Sequence, residues 1–376
     1  MSLITNTSLI CIIMLSMMIS TARPSASMHP INGRRTIYSN LWLFLFGLSI
    51  TFMAAFRLEF QDTGVYKEIY SNMELDYSYA YEESLAIQDY GFNLFMIFLK
   101  RINPDPQFLV ITTSTITFSC YFYTIGKYAR NLPMSLFLMM ALNMISSMNG
   151  IRQVLAGSIT LLGLPLIRDK KAIPYILLVL LASTLHKSAL VLIPLYFVFS
   201  GKRMNLGIWI FLIAVFGCFL FPSYATRVMG ELLEDSVYKD YLSGESSMGY
   251  MRFLVALVPL ILIILYCWVQ QDNHAGENRH SPQYLNQRII DVMINMEVVS
   301  FGFTALGMRM VYFARLSMYF HCILPMLLPV LLNNIFRKES ARLMRVLSIV
   351  LYAFYYSYQI YVYYTFGGWN NFVLNL

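Results

Sequence analysis

The chain has 376 residues, of which 58% are hydrophobic and only 12% charged, whereas soluble domains carry about a quarter of their residues as charges. Apolar runs of roughly 18–20 residues, each long enough to cross a bilayer, recur along its length. This excludes an ordinary soluble protein and predicts an all-α, polytopic integral membrane protein. The net charge of +7 lies in short linkers between apolar runs, as membrane topology requires, and no basic stripe interleaved with aromatics remains to bind nucleic acid.

In chain order, the first apolar run, 3–22, lacks the positive n-region of a signal peptide and is read as a retained span. Further spans are predicted at 37–56, 107–126, 132–149, 153–167, 172–185, 187–200, 206–222, 251–270, 289–307, 312–333 and 344–366, about 12 in all. Residues 91–102 are too short for a secure span and run into Asn103-Pro104-Asp105-Pro106, a helix stop, so they are assigned to an interfacial or re-entrant helix. Cys11, Cys120, Cys218, Cys267 and Cys322 all fall in apolar runs without a CxxC pair, so neither a disulfide framework nor a metal site is expected.

Positive residues set the orientation. Arg23, Arg34, Arg35, Lys127, Arg130, Arg168, Lys170, Lys171, Lys202, Arg203, Arg337, Lys338, Arg342 and Arg345 occupy alternate linkers, which are placed in the cytoplasm together with the polar linker 271–288. The long segments 57–90 and 223–250 become outer loops of a single transmembrane domain over 1–376. The first is acidic and rich in tyrosine, which suits either a carbohydrate surface or an interfacial aromatic belt. No internal repeat is visible.

An ionisable group at membrane depth faces a bundle interior or a water-filled cavity, and is a functional candidate by default. Arg152 and Gln153 open a run of only 15 residues before Arg168, about 22 Å as a helix against a core of about 30 Å. Lys171 and His186 are separated by the same short distance. Both clusters are therefore expected to be recessed from the outer surface, in neighbouring helices of one hairpin. Arg309 and Arg315 lie six positions apart, about 120° around a helix, so that one faces the pocket while the other packs elsewhere, or Arg309 precedes the helix. Recessed arginines suit an anion such as a pyrophosphate, and a histidine near them can take a proton from a hydroxyl. Plainer roles stand beside these: a snorkelling anchor for Arg309, Arg315 or Lys187, a satisfied buried histidine for His186, and a structural carboxyl or a transporter-like group for Glu297.

At these residues a family resemblance enters. The segments QDTGVYKEIY (with Asp62, Tyr66 and Tyr70), DYGFNLF (from Asp89), GIRQVLA (with Arg152 and Gln153), LASTLHKSALVLIP (with His186 and Lys187) and ARLSMYFHCILP (with Arg315 and Tyr319) occur in the order and spacing of the EpsG family of Wzy-type polysaccharide polymerases, which the chain resembles over roughly 60–325. The long acidic stretch 71–88 and the Gln61-Asp62 pair depart from the family pattern.

The resemblance implies growth of O-antigen, capsule or exopolysaccharide on undecaprenyl pyrophosphate at the outer face of the bacterial inner membrane. The partners implied are the carrier-linked oligosaccharide and membrane lipid, with a chain-length regulator as a further candidate. It also implies an inverting, metal-independent glycosyltransferase without a cofactor. In that reading Arg152, with Arg309 or Arg315, clamps the pyrophosphate and His186 is the general base. Gln153, Lys187, Tyr319, Tyr66, Asp62, Asp89 and Arg57 bind or orient substrate. Asp62 and Asp89 are rival bases. The other classes are a flippase or transporter of lipid-linked units, and a ligase-like transferase or acyltransferase.

Overall fold

A computed structural model describes residues 37–58, 60–75, 89–221, 250–270 and 282–365, and among them every regular element is helical. The predicted span 3–22, the acidic stretch 76–88, most of the loop 223–250 and residues 271–281 lie outside the described residues.

Helix α1 (Ile37–Ala55) leads into a short helix α2 (Thr63–Asn72) within the expected outer loop 57–90. Thr63, Tyr66 and Tyr70 are its buried residues, spaced three and four apart on one face. Helix α3 (Tyr90–Ile102) occupies the segment expected to form an interfacial or re-entrant helix: Phe92, Met96, Ile97 and Leu99 are buried while Phe98 and Ile102 are exposed. At 13 residues, it is about 20 Å long and cannot cross a bilayer core of about 30 Å. The Asn-Pro-Asp-Pro stop also starts the next helix, α4 (Pro106–Tyr128), because Asp105 accepts the Gln107 N–H at 2.9 Å with Pro106 at the first helical position.

Helix α5 (Leu132–Ser147) contains a widened turn at Met140–Met144, and Gln359 from the last helix donates to the Ala141 carbonyl there at 2.9 Å. The predicted span 153–167 divides at Gly163 into α6 (Ile151–Leu161) and α7 (Leu164–Arg168). Helix α8 (Ala172–Leu185) matches its predicted span. A tight turn, Lys187–Val191, leads from it into α9 (Leu192–Phe199), followed by α10 (Leu206–Leu220) and α11 (Tyr250–Val269).

Helix α12 (Pro282–Gly307) begins inside the stretch expected to be polar linker, which shortens that linker by the residues 282–288. The polar side chains responsible for the linker reading are absorbed by packing. Arg288 donates to the Ser200 and Gly201 carbonyls at 2.8 and 2.9 Å, at the end of α9. The chain then forms α13 (Val311–Leu316), a tight turn Ser317–Phe320, α14 (Ile323–Ile335) and α15 (Lys338–Thr365).

Among the described residues, three helices, Pro106–Tyr128, Tyr250–Val269 and Asn286–Gly307, are long and apolar enough to cross a membrane by themselves. The pair Tyr312–Phe320 and Ile323–Ile335, bent by 64°, makes a fourth if counted as one broken span. Among the described residues the expected total of about 12 is not confirmed on length, because several predicted spans are shorter apolar helices such as Ala172–Leu185 and Leu206–Leu220. Of the apolar stretch in α12, 89% is buried, against 17% for α11. Helix α12 is therefore the axis of the bundle, packed against α7, α9, α10, α11, α13 and α14. A second, smaller core lies apart from that axis. Tyr66, Tyr70, Phe92, Met96, Leu109, Ile151 and Leu155 join α2, α3, α4 and α6 into one block.

Candidate functional site

The smaller core carries the candidate site on its rim, and Asp89 is its centre. This residue immediately precedes α3, and its side chain is 1% exposed. One carboxylate oxygen, Oδ2, accepts from Arg152 Nη1 at 2.7 Å and from His186 Nδ1 at 3.1 Å. The other, Oδ1, accepts the backbone N–H of Lys187 at 2.9 Å. Charge-assisted bonds of this kind are about twice as strong as neutral ones. They hold a cation, an imidazole and a helix end on a single carboxylate.

The consequence for His186 is a defined tautomer. With Nδ1–H given to Asp89, the lone pair of the ring is on Nε2, the form in which a histidine accepts a proton from a hydroxyl. Helix α8 ends at this residue: His186 is extended at φ −157°, and its N–H still bonds back to Ala182. The histidine thus closes the α8 helix and opens the turn that brings Lys187 to Asp89.

Arg152 sits on the first turn of α6. Its Nε donates to Tyr66 Oη at 2.8 Å, and its guanidinium lies 5.5 Å from the centre of the Tyr66 ring. The Arg152 side chain keeps 24% of its surface open where Asp89 keeps 1%, so the arginine is the accessible member of the pair. Burial pushes the Tyr66 phenol up to about 12, against the pull of Arg152, so the tyrosine stays a neutral hydroxyl beside the guanidinium.

Helix α6 starts on Gly150, at φ +66°, a conformation that favours glycine, and it has no cap from its own side chain. Asp62 supplies the acceptor from a distant loop, taking the Gly150 N–H on Oδ2 at 2.8 Å. The aspartate therefore anchors the helix turn that presents Arg152 and Gln153. Burial raises the Asp62 carboxyl above its ordinary value, opposed by the Gly150 bond and by the charges of Arg57 and Arg315. A carboxyl raised in this way stabilises the fold most below its ordinary value, and that contribution is lost as pH climbs through the raised one. Asp62→Asn keeps an oxygen for Gly150 and removes the titration. It is expected to flatten this part of the pH–stability curve, read as Tm in detergent from acid to neutral pH.

The far wall comes from the α13 segment. Gln153 Nε2 donates to the Arg315 carbonyl at 2.8 Å, and the Ser188 and Tyr319 hydroxyls meet at 2.9 Å. Gly157 faces Tyr319, where an added Cβ would lie 3.3 Å from the ring. Arg315 is exposed, and its charge reaches Asp62.

The sequence-selected residues therefore divide. Asp62, Tyr66, Asp89, Arg152, Gln153, His186, Lys187, Arg315 and Tyr319 are brought together through these bonds. Arg309 lies in the turn before α13, its guanidinium 4.9 Å from the centre of the Phe219 ring, against α10 rather than Asp89. Arg57 is 2% exposed. It donates to Thr63 at 3.0 Å, to Ser114 at 2.9 Å and to the Ala54 carbonyl, which braces the Asp62 loop from below. Burial lowers its guanidinium to about 10, with Asp62 opposing.

One positioning residue escaped the sequence reading, although it stood in the quoted DYGFNLF segment. At Gly91 an added Cβ would lie 2.4 Å from the Thr184 hydroxyl oxygen and 2.9 Å from the Thr184 carbonyl. Only glycine lets the start of α3 approach the end of α8 closely enough for Asp89 to reach His186. Gly91→Ala must push the two helices apart, because backbone cannot yield. A displacement of that kind is expected to cost about ten- to a hundredfold in turnover. Gly64→Ala in α2, where nothing lies within 4 Å of the added atom, is the control and should be unchanged.

A family model described as the EpsG family matches residues 40–375, nearly the whole chain. No curated protein and no solved structure matches it.

Proposed function

The chain belongs to the EpsG family, of membrane-embedded, glycosyltransferase-like polymerases linked to exopolysaccharide, and from that premise we propose that it lengthens a glycan carried on undecaprenyl pyrophosphate at the outer face of the bacterial inner membrane. The growing chain is the donor, and the next carrier-linked repeat unit is the acceptor. The observation that carries this reading is the single Asp89 carboxylate holding both His186 and Arg152.

In the proposed step, His186 Nε2 takes the proton of an acceptor sugar hydroxyl, and that oxygen attacks the anomeric carbon of the donor. The bond from the anomeric carbon to the pyrophosphate oxygen breaks, and the electron pair leaves with the carrier pyrophosphate. One displacement inverts the anomeric carbon. Arg152 and Arg315 meet the charge that develops on the leaving group, so arginine supplies the counter-charge and the reading needs no metal. Gln153 and Tyr319 hold the arginine-bearing walls at a fixed separation. Asp89, covered and bonded to three donors, orients the base rather than acting as one. Asp62 serves the α6 cap, so Asp62→Asn should retain most of the activity. Loss of chain growth in Asp62→Asn, with His186→Ala still active, would reverse the two assignments.

The test is the surface glycan of a deletion strain, resolved as a ladder on a gel, with carrier-linked intermediates extracted in parallel. The expected result is loss of the ladder while single repeat units still reach the outer face. Units trapped on the cytoplasmic side would instead identify a flippase, and the roles given to His186 and Arg152 would fall with the reaction.

A further inference from the structure

We propose that His321 is a positioning residue for this transfer, locking the broken helix that carries Arg315 and Tyr319 into the wall of the site; the inference rests on the function proposed above. His321 lies where two interrupted helices meet. On one side is the widened turn Met140–Met144 of α5; on the other is the 64° break between the Ser317–Phe320 turn and α14. Interrupted backbone at membrane depth is tolerated only where protein groups satisfy it.

The break contains a strained residue. Cys322 has φ +71°, a left-handed conformation that residues other than glycine rarely adopt. Such a conformation persists only where its surroundings over-determine it. Asn143, in the widened turn, accepts the Cys322 N–H on Oδ1 at 3.2 Å and so ties one interruption to the other.

The His321 ring completes the joint. It is buried among Tyr121, Ser146 and Ser147, which are buried themselves. The Ser146 hydroxyl already donates to the Asn143 carbonyl at 3.1 Å, so toward His321 Nε2, 3.3 Å away, it accepts. The ring proton is then on Nε2, and Nδ1 accepts from Ser147 at 3.1 Å, with Tyr121 Oη 3.4 Å away. One neutral tautomer meets both serines.

The same short segment faces the site on its other side. Two residues before His321, Tyr319 bonds Ser188; six residues before it, the Arg315 carbonyl receives Gln153. Ser188 follows His186 by two residues, and Gln153 follows Arg152. A shift at the joint therefore moves the wall that faces the base and the arginine.

The test uses the full-length chain in native membranes and has two arms. In the first, the pair S188C and Y319C is treated with a short bifunctional maleimide, with each single cysteine as control. The pair should crosslink efficiently, His321→Leu should abolish the crosslink, and His321→Gln and His321→Asn, each keeping one of the two serine bonds, should retain part of it. In the second arm, without added cysteines, turnover with carrier-linked repeat units should fall about ten- to a hundredfold in His321→Leu and be partly restored in His321→Gln.

Wild-type crosslinking and turnover in His321→Leu would overturn the inference. So would lost turnover with an intact crosslink, or Gln and Asn variants no better than Leu. If His321→Leu is not recovered from membranes, His321→Gln and His321→Asn decide, and wild-type crosslinking in both refutes it. If the S188C and Y319C pair crosslinks with His321 in place but the chain without added cysteines grows no glycan, the proposed function alone is refuted, and the first arm still judges His321.

Discussion

His186→Ala should abolish chain growth while leaving the protein in the membrane at its normal level. Loss of a general base costs about 10²–10⁴ in turnover. The structure adds a companion to that expectation. Asp89→Asn is expected to fall nearly as far, although it changes one atom and touches no substrate. Asp89 accepts three bonds, two of them on Oδ2, from Arg152 and His186. An asparagine has one acceptor oxygen, so its amide group must turn a donor toward Arg152 and His186 or toward the Lys187 N–H. The first choice drives His186 off its Nδ1–H tautomer. A wrongly held tautomer in a His–carboxylate pair is worth on the order of 10⁴ in turnover. The measurement is kcat on defined carrier-linked repeat units with purified protein in bilayers. Asp89→Asn at near wild-type kcat would remove the dyad from the mechanism, even if His186→Ala is dead.

The second large effect concerns Arg152. On the proposed mechanism, Arg152→Ala removes a charge that faces the leaving group, and the expected loss is about 10²–10³ in turnover for one donor to a developing anion. It also leaves the Asp89 carboxylate without its closest partner, and unpairing one member of a buried ion pair destabilises by about 3–5 kcal/mol. The two consequences separate in a double-mutant cycle with Asp89→Ala. Stability should recover in the double variant, because no buried charge is left unmatched, whereas turnover should not. Arg152→Lys restores the charge without the geometry: Nε reaches Tyr66 while Nη1 reaches Asp89, and a single ammonium cannot make both bonds in those directions. Turnover in Arg152→Lys should remain at least about tenfold down. Full recovery would mean that charge alone is used, and that the Tyr66 contact serves packing.

Parts of this site were legible in the sequence for a physical reason. A helix too short for the bilayer must recess whatever closes it, and that argument alone placed Arg152 and His186 on neighbouring helices of one hairpin. The hub was not legible. Asp89 meets Arg152 across 63 positions and His186 across 97, and no local pattern announces a pairing at that range. Helix α2 was hidden because its apolar face is only Thr63, Tyr66 and Tyr70 within an acidic stretch. The start of α12 was missed because Arg288 is polar in composition yet buried in place. Hydropathy saw no break at His321, since no glycine marks it and Pro325 comes four residues later. Hydropathy also cannot tell an exposed span from a packed one: a run of apolar residues looks the same whether it is largely uncovered, as in α11, or packed against other helices, as in α12.

The long-range bonds of Asp89 also impose an order on the birth of the protein. At about 5–20 residues per second of synthesis, the 98 positions between Asp89 and Lys187 take roughly 5–20 s to appear. Tyr319 emerges 131 residues after its partner Ser188. Throughout that interval the ribosome has released a carboxylate whose donors do not yet exist, then a base whose opposite wall has not been made. On the proposed mechanism, a nascent chain that stops between Ser188 and Tyr319 carries the histidine assigned as base but lacks the wall that faces it.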